Sequence, residues 1–197
     1  MPTPSTPKLL IQMSGAPGAG KSTIAALLRP HLNATIIDHD VLRSYLISTA
    51  VFQFDQAAKQ AYALQWELAR DFMKQGVDSI IIDSTCNYPE VVAKGLSLAV
   101  KYEYRYWYVE CNARDIDLLD KRLRARTPKA SQRPAVDCPP ESAQGNGAQV
   151  GENARERFAQ WMTKPCRPSN VDHIITVDST ADPKTLRDEI LARMAAD

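Results

Sequence analysis

Gly15-Ala-Pro-Gly-Ala-Gly20-Lys21-Ser22 fulfils the pattern G-x-x-x-x-G-K-[ST] at every position. Each residue type in it suits a polyphosphate. Glycines let backbone N–H groups turn inward on phosphate oxygens, the lysine reaches the β- and γ-phosphates, and the serine hydroxyl ligates Mg²⁺. A helix starting directly after the glycines adds positive potential. Gly15, Ala16, Pro17, Gly18, Ala19, Gly20, Lys21, Ser22 and Thr23 are thus expected to bind a nucleoside triphosphate, ATP. Lys21 would also take part in the chemistry, and Ser22 in holding the metal.

The use made of the triphosphate narrows by elimination. A guanine-reading N-K-x-D is absent, and Asp83 is followed by Ser84 rather than by the glutamate with which motor ATPases activate water. Transfer to an acceptor hydroxyl remains. It needs a carboxylate to take the hydroxyl proton and a cation beside the acceptor. Asp40 and Arg43 lie three apart just past the second expected strand, on one face of a helical turn. Alone, the pair would be an Asp cap followed by a solvated Arg; beside a complete phosphate loop it reads as base and acceptor cation. Asp38 and Asp83, each ending a strand, complete the candidate acceptor wall, and Asp83 is also a candidate metal partner. His39, between two aspartates, reads as structural.

These residues need a scaffold that gathers strand ends. Lys8–Met13 is a short apolar run suited to a parallel strand buried on both faces. A helix from Ser22 to about Arg29 follows, ended by Pro30. Ala34–Ile37 and Ser79–Ile82 are further strands, and each runs into an aspartate. Asp55–Gln75 is a long helix with Ala57, Ala61, Leu64, Leu68 and Phe72 on one stripe and Gly76 at C′. Pro89 opens a helix to about Lys101. Tyr104–Cys111 is an aromatic strand, and Asn112 can cap the helix that carries Leu118, Leu119 and Leu123. Residues 127–150, rich in Pro, Ala, Ser, Gln and Gly, read as a long mobile loop. A helix at Glu152–Met162, a strand at His173–Val177 and a last helix from Asp182-Pro183 complete the chain. Five strands alternating with helices imply an α/β fold: a parallel sheet, helices on both faces, and ligands at the carboxyl ends of the strands. Trp66, Trp107 and Trp161 read as packing groups rather than base-stacking platforms.

Composition sets the outer limits. The chain has 197 residues, of which 44% are hydrophobic and 24% charged, enough for one domain with its own core. Lys plus Arg is 24 against 23 for Asp plus Glu, and the pI is about 7.7. That balance argues against a nucleic-acid partner, for which a strongly basic domain is expected. No apolar run approaches the roughly 20 residues that span a bilayer, so no membrane partner is expected. Met1–Pro7 is Pro-rich without an apolar stretch, and reads as a disordered tail ahead of a single domain at 8–197. The four scattered cysteines, with no C-x-x-C, suit free thiols in a reducing cytoplasm. Oligomeric state is left open.

GAPGAGKS, the D-x-x-R of Asp40 to Arg43, Asp83-Ser-Thr after the third strand and the K-R-x-x-x-R of Lys121 to Arg126 together resemble the polynucleotide-kinase/zeta-toxin-like (AAA_33-type) branch of P-loop kinases, over about residues 8–195. The resemblance implies a three-layer P-loop NTPase fold with a helical lid. It implies Asp40 as general base, Arg43 on the acceptor, and Arg122 and Arg126, i and i+4, as lid arginines on ATP. The acid-free run Lys121–Arg133 fits such a lid. In related kinases the turn after the fifth strand packs near the adenine, which would put Ser179 on ATP; the same turn also reads as the cap of the last helix through Asp182. Asp83 is either a water-mediated Mg²⁺ partner or an orienter of Arg43. The implied activity is transfer of the γ-phosphate of ATP, with Mg²⁺, to a hydroxyl of a small-molecule or nucleoside-like acceptor. A 5′-hydroxyl polynucleotide kinase and an ATP-binding switch without an acceptor stand as alternatives.

Overall fold

β1, Leu9–Ser14, is buried along nearly its whole length, and its side chains alternate between two cores. Ile11 and Met13 point into one, Leu10 into the other. A strand covered on both faces is largely apolar, and the two polar side chains it buries, Gln12 and Ser14, accept from the Tyr106 and Tyr108 hydroxyls. The computed structural model describes residues 7–143, 150–163, 166–169 and 171–196. The tail expected at 1–7 lies outside the described residues except for Pro7, as do residues 144–149 of the loop expected at 127–150.

The other strands are β2 (Ala34–Asp38), β3 (Ser79–Asp83), β4 (Arg105–Asn112) and β5 (Ile174–Asp178), in sheet order β2-β3-β1-β4-β5 with every pairing parallel. The helices are α1 (Lys21–Leu32), α2 (His39–Ser48), α3 (Phe54–Gln75), α4 (Pro89–Tyr102), α5 (Ile116–Arg124), α6 (Glu152–Thr163) and α7 (Pro183–Ala195). On one face Ile24 and Leu28 of α1, Leu119 and Leu123 of α5, Phe158 of α6 and Ile190 of α7 pack on Ile11, Met13 and Val109. On the other, Trp66 and Met73 of α3 and Val91 and Leu98 of α4 pack on Leu10, Ile80 and Ile82. No helix among the described residues is long and apolar enough to cross a membrane.

Two local expectations are corrected. Helix α1 does not stop before Pro30; it continues to Leu32 and closes on Asn33, left-handed at φ 47°. Pro30 is exposed, so the Ala26 carbonyl that loses its partner faces water, and Leu32 still packs on the core four residues after Leu28. Asn112 is not a helix cap but the last residue of β4. Asp115 caps α5, accepting from the N–H groups of Asp117 and Leu118. The Asp, with its three-residue offset from the strand end, gives the chain room to turn.

Within the α3/α4 core sits a polar network. Gln12 is wholly buried; its Oε1 accepts from the Tyr106 hydroxyl at 2.7 Å and its Nε2 donates to Cys86 Sγ at 2.8 Å. Cys86 donates in turn to the Met13 carbonyl at 3.2 Å, and burial pushes its thiol up to about 12, so it stays neutral. The network ties the segment after β3 to the centre of the sheet.

Gly95 of α4 lies directly over this network: a Cβ there would fall 2.4 Å from Gln12 Oε1, 3.1 Å from Trp66 and 3.2 Å from Tyr106. Gly95→Ala gains about 1 kcal/mol of helix propensity. It costs about 1–3 kcal/mol of overpacking, because the Gln12 amide is held at both ends and cannot swing aside. The variant is expected to lose up to about 2 kcal/mol in denaturant unfolding with m unchanged; a stability gain would show the network to be pliable.

Candidate active site

The phosphate loop connects β1 to α1 and presses against the end of β4. A Cβ on Gly15 would lie 2.3 Å from the Cys111 carbonyl oxygen, and Gly15 has φ 132°, so only glycine fits. Gly20, at φ 87°, is the N-cap of α1. Helices α2, α5 and α7 each open on an aspartate whose side chain accepts from first-turn N–H groups, at Asp38, Asp115 and Asp182. Helix α1 has no side-chain cap and no acid in its first turn. Its N–H groups and its positive dipole end therefore point unanswered into a cleft of about 1710 Å³, the arrangement that takes an anion.

Lys21 is mostly buried, and its Nζ donates to the carbonyls of Gly15 at 2.9 Å and Ala16 at 3.1 Å, which arches the ammonium over the loop. Asp83 closes β3 beneath it. Burial drives the Asp83 carboxyl up, and the Lys21 charge and the Ser22 hydroxyl oppose that drift. Pro17, Gly18, Ala19, Gly20, Lys21, Ser22, Thr23, Asp40, Arg43, Asp83, Arg122, Arg126 and Ser179 all line the one cleft. Gly15, Ala16 and Asp38 do not line it: the first two reach it only through their carbonyls on Lys21.

Asp38 is committed elsewhere. Its Oδ1 caps α2 through the N–H groups of Asp40 at 2.8 Å and Val41 at 3.2 Å, and its Oδ2 pairs with Lys129 at 2.7 Å. Asp40 and Arg43 share the cleft face of α2, as their spacing requires. The Arg43 guanidinium lies 3.9 Å over the Phe54 ring and donates weakly to the Phe54 carbonyl at 3.4 Å. Burial lowers its pKa and the Asp40 carboxylate raises it. Among the described residues its buried Nε finds no partner. His39 is buried and stacked on Tyr62, with ring centroids 4.0 Å apart; burial outweighs its neighbouring carboxylates and lowers its pKa to about 4, so it is neutral. It is a wall, as its place in the sequence suggested.

Beyond α5 the chain folds back over the cleft. Arg122 Nη2 donates to the Ser179 carbonyl at 2.8 Å, and Ser179 is anchored through its N–H and Oγ to the Asn112 carbonyl. Arg126 lies past the C-terminus of α5 yet still lines the cleft; burial lowers its pKa, Asp40 raises it, and its Nε has no partner among the described residues. Sequence reasoning missed the next residues. Ser131 and Gln132 both reach Asp40: Gln132 Nε2 donates to Oδ2 at 2.8 Å, and Ser131 Oγ lies 3.4 Å from Oδ1. They sit in a stretch set aside for its composition, where neither periodicity nor motif marks them. Trp66 and Trp161 line the cleft while Trp107 is core. Among the described residues no cluster of three or more His, Cys, Asp or Glu could hold a metal alone.

Comparison with known proteins agrees with this fold. A family described as an AAA domain (AAA_33) matches residues 10–138. The sequence matches no curated protein. Among solved structures, a candidate kinase from Chloroflexus aurantiacus superposes with a TM-score of 0.70 at 17% identity, covering 98% of this chain and 99% of that one. A gluconokinase from Sinorhizobium meliloti gives 0.62 at 14%, covering 98% and 94%. The APS kinase of Mycobacterium tuberculosis, solved with AMPPNP and APS, gives 0.59 at 18%, covering 97% and 99%. The shared architecture is the P-loop NTPase fold, which implies nucleotide binding.

The two jobs of Asp38 separate by substitution. Asp38→Ala removes the cap of α2 and is expected to cost about 1 kcal/mol in chemical denaturation. Asp38→Asn keeps a capping oxygen and loses only a half-exposed ion pair, so its stability should stay within about 0.5 kcal/mol of wild type. Equal losses in both variants would make the Lys129 pair, not the cap, the dominant contact.

Proposed function

The chain belongs to the AAA domain family AAA_33, a P-loop domain, and from that premise we propose that it is an ATP-dependent kinase that moves the γ-phosphate to a hydroxyl of a small-molecule or nucleoside-like acceptor. The observation that carries the reading is a carboxylate and a guanidinium, Asp40 and Arg43, standing on the cleft wall that faces the phosphate loop. A nucleotide switch has no use for that pair.

Ser22 and Asp83 suit Mg²⁺. They offer one hydroxyl and one buried carboxylate, which matches a cation that keeps waters and takes phosphate oxygens for its remaining positions. When bound, Mg²⁺ neutralises charge on the phosphates. Lys21 holds the β- and γ-phosphate oxygens against the N–H groups of residues 18–23. Asp40 takes the proton from the acceptor hydroxyl as its oxygen bonds to the γ-phosphorus. The bond from that phosphorus to the β–γ bridging oxygen breaks, and ADP leaves with the bond's electrons. Arg122 and Arg126 stabilise charge on the transferring group, and Arg43 holds the acceptor. Ser179, joined to Arg122 at the end of β5, borders the nucleotide.

The acceptor wall favours a small molecule. Arg43, Lys59 and Lys94 line the cleft together with Asp55, Glu67 and Glu90, so this side of it carries as many anions as cations and offers a nucleic-acid chain little net positive charge. The neighbours named gluconokinase and APS kinase are enzymes of small molecules, in line with this choice.

The deciding experiment incubates the protein with ATP and Mg²⁺ against a panel of sugars, sugar acids, nucleosides and a 5′-hydroxyl oligonucleotide, with mass spectrometry for a gain of phosphate. Phosphate on a small alcohol is expected; labelling of the oligonucleotide alone promotes the polynucleotide alternative, and none anywhere promotes the switch. Lys21→Ala and Ser22→Ala should cripple turnover in folded protein. Asp40→Asn should keep ATP affinity and lose 10²–10⁴ in rate. Arg122→Ala and Arg126→Ala should lower kcat more than they weaken ATP binding; a loss confined to affinity would make them ground-state clamps.

A further inference from the structure

A general base works only if one carboxylate oxygen is kept free and aimed at the incoming hydroxyl. Asp40 sits on the first turn of α2, where its side chain has no hydrogen-bond partner on its own helix. Its partners come from the chain 91 and 92 residues later. The Gln132 amide is held at both ends. Its Oε1 accepts from the Lys129 N–H at 3.1 Å, which leaves Nε2 facing Asp40, where it donates to Oδ2 at 2.8 Å. That pairing fixes which end of the amide is which, since the reverse would set oxygen against carboxylate. The other oxygen, Oδ1, has only the long 3.4 Å contact from Ser131 Oγ, whose better-placed partners are the Asp40 carbonyl at 3.1 Å and Ser44 Oγ at 2.9 Å. One oxygen is tied and the other is exchangeable. The segment itself is fastened to the start of α2 by Lys129 on Asp38 at 2.7 Å.

We propose that Gln132 is a positioning residue for the base: its amide holds Oδ2 of Asp40 so that Oδ1 meets the acceptor hydroxyl, and the segment that carries the phosphate-binding arginines thereby also completes the acceptor site. This rests on Asp40 acting as base. Gln132 touches no reacting atom and acts through Asp40 alone. Base orientation and closure of residues 126–132 over the nucleotide become one event, and an acceptor meets a misaligned base until that segment is down.

The test is a double-mutant cycle, read as inorganic phosphate release from ATP–Mg²⁺ with water as acceptor. Single turnovers of γ-labelled ATP resolve the slow variants, and circular dichroism confirms folding. Gln132→Ala is expected to lower the rate about tenfold with the ATP KM unchanged. Gln132→Glu should lose more, because it faces one carboxylate with another. In the Asp40→Asn background Gln132→Ala should cost nothing further. An undiminished rate in Gln132→Ala, an effect on ATP KM alone, or equal losses in both backgrounds would overturn the positioning role and leave a structural contact. Wild-type phosphate release by Asp40→Asn alone would instead overturn the assignment of the base.

Discussion

Three carboxylates, Asp38, Asp40 and Asp83, crowd the carboxyl edge of a parallel sheet, and the cations that answer them come from three different stretches of chain. The crowding is forced: β2 and β3 pair in register so that Asp38 and Asp83 are direct partners, and Asp40 follows within one turn. Like charges this close raise one another's cost of ionisation unless paired. Lys21 from the phosphate loop answers Asp83, Lys129 from beyond α5 answers Asp38, and Arg43 and Arg126 face Asp40. The phosphate loop, α2 and the segment over the cleft are therefore held together by one charge balance.

That balance also separates structural from chemical acids. Asp38 spends one oxygen on the N-terminus of α2 and the other on Lys129, so both are engaged within the protein. Asp40, two residues on, has an oxygen with only a long contact. Neighbouring aspartates of the same type divide into a cap and a candidate base because the helix begins between them.

What the sequence made legible was whatever is local. The phosphate loop, the strand-to-aspartate transitions, α3 with Gly76 closing it at φ 82°, and Asp182-Pro183 at the start of α7 are all set by residues within one turn of each other. Arg43 and Asp40 could be placed on one face from their spacing alone. Gln132 could not be found, because its partner is 92 residues away and its neighbours are a polar stretch without period. Asn112 and Pro30 misled for a related reason. Each has a strong local preference, and in each case packing of the following residues, Leu32 on the core or β4 against β5, outweighed it.

The rigidity of the proposed acceptor wall traces back to the middle of the sheet. Cys86 is held in a left-handed backbone at φ 50° by Gln12 from below and Met13 from behind, so the segment from Ser84 to Asn87 leaves β3 in one direction only. Three residues later Pro89 starts α4, and Tyr88, edge-on to Tyr62, stands at the rim with more than half its surface in water. The floor of the wall is thus set by buried hydrogen bonds, and its rim by solvated charges whose mutual attractions water and salt weaken. For the proposed kinase, discrimination between acceptors would then come from the floor, where Arg43, Tyr62 and His39 are desolvated and hold their positions. Changes at the exposed rim residues Lys59, Lys94 and Glu90 would tune encounter with an acceptor without moving Asp40 relative to the phosphate loop.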